Sequence, residues 1–160
     1  MNDRLQVSID DPEFSRLLEE SQAYFDDAKS FYNWDPCDGQ TTCVLMEVSH
    51  DKVMNKKLKK EILVVRAKVE IQDGENAGKV FDLSGNWGWS GKMMAGLKTL
   101  ASLLAGEPKT DLVESIGVLY DNLGAGLLVS TTRTKREDGG EPYVNHRPLQ
   151  RIDVEAPLQA

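Results

Sequence analysis

Residues 61–89 contain the pattern that most restricts how this chain can fold. Every second residue over 63–71 is apolar, while Arg66, Lys68 and Glu70 lie between them. This period of two is typical of a strand with one buried face. A glycine-bearing turn follows over 73–78, and a further strand over 79–83. The pattern therefore predicts an antiparallel hairpin that contributes one face to a core.

The residues before this hairpin predict another strand and a basic loop. About eight residues from Thr41 onwards alternate, which would place Val44, Met46 and Val48 on one face. The segment 53–61 then contains four lysines, and it is expected to be a hairpin loop or the end of a strand. The chain thus begins its β region with two strands that flank a cluster of positive charge.

The residues after the hairpin predict helices and a second hairpin. Ser90 is a suitable N-cap for a helix over roughly 91–105, and Asp111 is one for a second helix. Strands over 127–135 and 143–152 flank a tight turn. Two prolines in or beside the last segment restrict it to a sheet edge or a bulge, because proline cannot donate to a strand ladder.

These elements follow one another as helix, three strands, one or two helices, and two strands. Five strands with a helix between the third and fourth have the connectivity of the OB-fold, a partly open Greek-key barrel. Another small barrel or an α+β sandwich would share this order. We expect a mainly β protein with helices: a five-stranded OB-fold with a helix or helix pair between strands 3 and 4 and an acidic N-terminal helix.

Charge divides the chain into segments. The net charge is −7, and the whole excess lies in residues 1–40, which hold ten acidic and three basic residues. Within them a helix is expected from Asp11 or Pro12, after a loosely attached start over residues 1–11. The predicted organisation is an acidic helical appendage and linker over 1–40, an OB-fold domain over 41–152 and a loose tail over 153–160.

The sequence gives little support for an enzyme, a metal site or a membrane protein. It contains no P-loop and no recognisable nucleophile motif. Cys37, Cys43 and His50 are spaced more widely than typical zinc ligands, and His146 is distant. No apolar run reaches the length of a membrane span, and no secretory signal is present. We expect a soluble, cytoplasmic, non-enzymatic protein that needs no cofactor.

Proteins that bind single-stranded nucleic acid without sequence preference need cations that contact the phosphates and flat rings on which the bases stack. Trp87, Trp89 and Tyr143 are the predicted stacking residues, although a core position is the alternative for either tryptophan. The predicted phosphate-binding cations are Lys56, Lys57, Lys59, Lys60, Arg66, Lys68, Arg133, Lys135, Arg136, Arg147 and Arg151. The alternative is that they are ordinary surface charges without a ligand.

The stretches VEIQDGENAGKVFDLSGNW (69–87) and EDGGEPYVNHRPLQRI (137–152) resemble a family of bacteriophage and prophage proteins that are similar to single-stranded-DNA-binding proteins. Tyr143, Asn145 and Arg151 stand at the matching places of the final hairpin. The resemblance implies an OB-fold that coats single-stranded DNA during phage replication or recombination, in the cytoplasm of a bacterial host.

This chain departs from the family pattern in its long acidic start, its helix near 110–126 and the lack of an acidic C-terminal tail. These departures concern partners and oligomeric state more than fold. A homo-oligomer and a replication or recombination protein that binds the acidic N-terminal segment are expected partners, and RNA is an alternative ligand to DNA. The alternative function is a protein-interaction module on the same barrel, using the acidic helix 12–28.

Overall fold

A computed structural model describes residues 3–28, 39–83, 87–88, 90–134, 137–140 and 143–152, with the side chains of 132–134 and 143–145 outside the description. These residues form four helices and one five-stranded antiparallel sheet. In chain order the elements are α1 (Asp3–Asp10), α2 (Pro12–Asp27), β1 (Gln40–Asn55), β2 (Lys60–Ile71), β3 (Val80–Asp82), α3 (Gly91–Ala105), α4 (Leu112–Asp121), β4 (Gly126–Thr134) and β5 (Tyr143–Ile152).

The sheet has the order β3-β2-β1-β4-β5. β1 pairs with β2 up to the turn between them, and its first residues pair with β4. The expectation of a mainly β protein with helices is confirmed, as is a helix pair between the third and fourth strands. β5 lies at a sheet edge, as its prolines predict.

The first strand differs from its prediction in length and in its buried face. It runs to Asn55, twice as far as the alternation indicates. Its ladder with β2 skips Met46, so the strand contains a β-bulge there. Before the bulge Cys43 and Leu45 belong to the core, and after it Val48 does. The prediction that Val44, Met46 and Val48 share a face is wrong because one extra residue reverses the alternation.

The two edge strands of the sheet approach each other. The ring of Phe81 on β3 and the ring of His146 on β5 have centroids 4.2 Å apart. The same imidazole is hydrogen-bonded to the hydroxyl of Thr131, at 2.8 Å from Nδ1. Since β3 and β5 stand at opposite ends of the strand order, the sheet must curl to bring these side chains together.

The helices after β3 begin and end where the sequence predicts. Ser90 caps α3, with its hydroxyl accepting from the amide of Met93, and Gly106 ends the helix in a left-handed conformation. Asp111 caps α4 in the same way and accepts from the amide of Glu114. α3 packs against α4, α2 and β5.

The N-terminal helices share the core of the sheet. Leu5, Phe14, Leu18 and Phe25 belong to the same buried cluster as the strands. Gln22 of α2 also accepts from the amide of Leu112 at 2.7 Å, at the start of α4. The prediction of a loosely attached start is wrong for 3–10, because Leu5 is fully buried and anchors α1.

Candidate nucleic-acid interface

The turn between β1 and β2 holds its four lysines in a defined conformation. We call residues 55–60 the lysine turn. The Asn55 side chain closes it, because its Oδ1 accepts from the amides of Lys57 and Leu58 at 2.9 Å each. The amide of Lys59 donates to the Asn55 carbonyl at 2.8 Å. Lys56, Lys57, Lys59 and Lys60 are all exposed, so the turn presents four cations to solvent.

Lys59 has a φ of +54°, in the left-handed region. It is the one non-glycine residue of the described part of the chain with a positive φ. A side chain in this region is disfavoured by contact with its own backbone, and glycine adopts it without that cost. Glycine would therefore adopt this backbone conformation at a lower free-energy cost than lysine does.

The lysine turn lies at the end of a two-stranded ribbon. β4 pairs with β1 over Gln40 to Val44, and β3 pairs with β2 at Lys68 to Glu70. Over 51–55 and 60–64 the ladders of the described residues contain β1 and β2 alone. Behind the turn, α2 supports the ribbon through an ion pair of Lys52 with Glu13 at 2.9 Å.

Apolar side chains accompany the cations at the end of the ribbon. Seven large apolar side chains are exposed in the described part of the chain, and three of them are Val53, Met54 and Leu58. Their exposed fractions are 39%, 59% and 41%. These exposed side chains are accessible from solvent, and the lysines around them would attract an anionic ligand more than a neutral one.

The face of β2 that points away from the core carries Arg66 and Lys68. In the ladder Lys68 stands beside Glu47 of β1 on one side and Asp82 of β3 on the other. Arg66 is half-buried and stands opposite Ser49. The sheet face is consequently balanced in charge near Lys68, whereas the lysine turn holds the concentrated positive charge.

Trp87 does not present its ring to solvent. It forms an isolated bridge with Val65 and is 6% exposed, within the core cluster. Its indole lies so close to Gly96 of α3 that a Cβ there would stand 2.5 Å from Nε1. The predicted stacking role of Trp87 is therefore replaced by the alternative, a core position between the sheet and α3.

The predicted cations of β5 lie away from the lysine turn. Arg151 donates from Nη1 to the carbonyl of Leu104 at 2.7 Å. This carbonyl is one of the last of α3, which lack a partner within the helix. Arg151 is nevertheless exposed, and its phosphate-binding role stays a prediction. Arg147 stands opposite Ser130, which pairs with Gln40 at the end of β1 opposite the lysine turn. The structure does not bring these two arginines to the ribbon.

Of the remaining predicted residues, Trp89 lies between β3 and α3 in the sequence, and the others belong to the β4–β5 hairpin. Trp89, Lys135 and Arg136 lie outside the described residues, and so do the side chains of Arg133 and Tyr143. The ladders place the backbone of this hairpin beyond Gln40, at the opposite end of β1 from the lysine turn. The two predicted basic loops therefore stand at the two ends of the sheet.

A polar cluster that sequence reasoning missed joins the N-terminal helices to the sheet. His50 of β1 is hydrogen-bonded to the hydroxyl of Ser8 on α1, at 2.7 Å from Nε2, and through Nδ1 to that of Tyr120 on α4. The ring of Phe14 meets it edge-on. No local pattern could have indicated these contacts, because the partners are separated by 42 and 70 positions.

Burial favours the uncharged forms of the two titratable groups in this cluster. Burial lowers the pKa of His50, and Arg4 acts in the same direction, while Asp51 opposes them. Burial also raises the pKa of Tyr120, so both groups are held neutral. The adjoining cleft, of about 380 Å³, is lined by the residues Arg4, Ser8, Glu47, Ser49, His50, Asp51 and Tyr120.

Other reactive groups offer no clear chemistry. The buried Cys43 thiol has its pKa raised to about 12, first by burial and then by Asp73, which leaves it protonated. Among the residues that the structure describes, no three His, Cys, Asp or Glu side chains are grouped as metal ligands. Within the same residues, every helix is too short or too polar to cross a bilayer.

Comparisons of the chain with protein-family models, with curated proteins and with solved structures gave no match.

Proposed function

We propose that this protein binds single-stranded DNA with little sequence preference and without catalysis, in phage-type replication or recombination. The observation that carries the proposal is the lysine turn, whose cations project from a folded ribbon. Cations held in this way neutralise successive phosphates and release condensed counterions, which is the main source of sequence-independent affinity. RNA would satisfy the same chemistry and is the alternative ligand.

The fold that we propose for this function is an OB-fold barrel. Three features support it: the five antiparallel strands, the helix pair between β3 and β4, and the contact of Phe81 with His146 across the edge strands. Ligands of such barrels cross strands 2 and 3 between the loops that join strands 1 to 2 and 4 to 5. Here those loops are the lysine turn and the β4–β5 hairpin.

On this basis the strand crosses the face of β2 and β3 between the lysine turn and the β4–β5 hairpin. The lysine turn contacts phosphates at one end, Arg66 lies along the path, and Arg133, Lys135 and Arg136 are proposed contacts at the other end. Lys68 contributes less, because Glu47 and Asp82 flank it in the ladder. Trp89 and Tyr143 remain the proposed stacking rings, and a homo-oligomer would extend the coated length.

Fluorescence polarisation with a labelled oligo-dT tests this function. The wild type should bind at low salt, and a mixed-sequence oligonucleotide of equal length should bind within a fewfold. The quadruple variant K56Q/K57Q/K59Q/K60Q should lose roughly 100-fold or more at 50 mM salt, since four phosphate contacts disappear. For a single charge, K57Q should weaken binding whereas K92Q, at an exposed lysine in the first turn of α3, should not. A wild type that binds no oligonucleotide at low salt would end the proposal.

The protein-interaction alternative depends on the acidic side of α2. The apolar side of this helix is occupied by the chain's own core through Phe14, Leu18 and Phe25, so a partner would have to recognise the exposed carboxylates. The variant E19Q/E20Q separates the two functions. Removing these charges should leave oligonucleotide binding unchanged or tighter, whereas an acid-dependent protein complex would be lost.

A further inference from the structure

The end of the ribbon combines two surface properties that differ in what they recognise. The lysines attract an anion, but Val53, Met54 and Leu58 are apolar and exposed in the same segment. Phosphate recognition alone gives no reason to expose three large apolar side chains beside four ammonium groups. A ligand that matches both must carry closely spaced anionic and apolar parts.

A single polynucleotide strand has this composition, because each nucleotide joins a phosphate to an unpaired base with two apolar faces. In a duplex these faces are stacked on each other and are not accessible without unstacking. The ribbon also has the ordered geometry that such contact needs, since Asn55 fixes the backbone of the turn through two hydrogen bonds. Leu58 lies between the lysine pairs 56–57 and 59–60, so one apolar side chain stands among four cations in the turn.

We propose that Met54 and Leu58, at the end of the ribbon, contact unpaired bases of the same strand whose phosphates the lysine turn holds. Val53, the residue before Met54 in β1, points to the opposite face of the ribbon. This inference rests on the proposed function and assigns the base contact to aliphatic side chains of the ribbon. It also accounts for Lys59, because a lysine in the left-handed region of this turn places a further cation next to Leu58. The buried indole of Trp87 makes no contribution to this surface.

The test compares oligo-dT with an abasic oligonucleotide of the same length and charge. The wild type should bind oligo-dT about tenfold more tightly, and M54S/L58S should lose most of that preference while it binds the abasic strand as the wild type does. The matched control V7S/L123S removes two other exposed apolar residues and should keep the full preference. Thermal melting of each variant shows that the fold is retained.

The outcomes separate the inference from the function on which it rests. If the wild type binds both oligonucleotides equally and M54S/L58S changes neither, the inference is wrong and the function stands. If the wild type binds neither, both are wrong. If M54S/L58S weakens binding to duplex DNA as much as to oligo-dT, or acts only on binding to vesicles of anionic phospholipid, the apolar residues serve a different ligand and the inference fails.

Discussion

The middle and the lysine-turn end of the β1–β2 hairpin differ in how many contacts their side chains make with the rest of the protein. Near its middle, His50 and Lys52 contact α1, α2 and α4 through hydrogen bonds and an ion pair. At its end the four lysines of the lysine turn and three apolar residues face solvent. In the middle of these two strands the side chains make contacts that the fold needs. At the lysine turn the side chains make few such contacts, so the fold does not require this composition.

The two parts also differ in whether their features stabilise the fold. All buried side-chain nitrogen and oxygen atoms of the described residues have hydrogen-bond partners, which is expected of a structural contact. The lysine turn has the opposite character: four like charges repel one another, and Lys59 adopts a disfavoured φ. Features that cost stability in this way are commonly explained by a ligand.

The largest effect is expected on the helical side, where Leu5→Ala should break the contact of α1 with the core. Leu5 is fully buried, and deleting such a side chain costs about 2–4 kcal/mol of unfolding free energy. Val7 on the same helix is 70% exposed, so Val7→Ala should change stability by less than about 0.5 kcal/mol. Urea unfolding measures both, and equal small effects would show that α1 is a dispensable appendage.

A smaller effect concerns His50 and pH. Burial lowers its pKa in the folded protein, so the unfolded chain takes up this proton first as the pH falls below about 6.5. The stability that the neutral imidazole contributes should be complete above that pH and should decrease as the pH falls below it. His146 contributes in the same direction, also through burial. The variant His50→Gln should therefore show a shallower decline than the wild type, and an identical pH profile would contradict the buried neutral imidazole.

The smallest effect sharpens the contrast at the lysine turn. Replacing Lys59 by glycine relieves the left-handed conformation, although it adds freedom to the unfolded chain, so a net gain of about 0.5 kcal/mol is expected. The same variant should bind oligo-dT about twofold more weakly. Lys57→Gly, where the relief is absent, is the matched variant. A less stable K59G protein would show that the lysine side chain itself supports the turn.

The local parts of the fold could be predicted from the sequence. The helix caps are Ser90, Gly106 and Asp111, and each is hydrogen-bonded to backbone groups of its own helix end. Their capping roles can therefore be inferred from the neighbouring residues. The alternation in β2 is equally local, and its core residues Leu63 and Val65 are buried. The lysine turn was also identified, because its charge depends on composition and on the hairpin that carries it.

The parts that depend on distant residues could not be predicted. The bulge at Met46 exchanges the faces of β1 without a sequence signal of its own. Trp87 has the same spacing from Trp89 whether it is exposed or buried, and its burial depends on Gly96 of α3. Arg151 looks like any surface cation until α3 places the Leu104 carbonyl beside it.

The salt dependence of oligo-dT binding tests the central claim most directly. The logarithm of the association constant should fall linearly with the logarithm of salt concentration, and each phosphate contact on a single strand contributes a slope of about −0.7. The variant K56Q/K57Q/K59Q/K60Q should therefore have a slope that is smaller in magnitude by about 2.8 than that of the wild type. Equal slopes in the two proteins would contradict the account, because the lysine turn would then hold no phosphates.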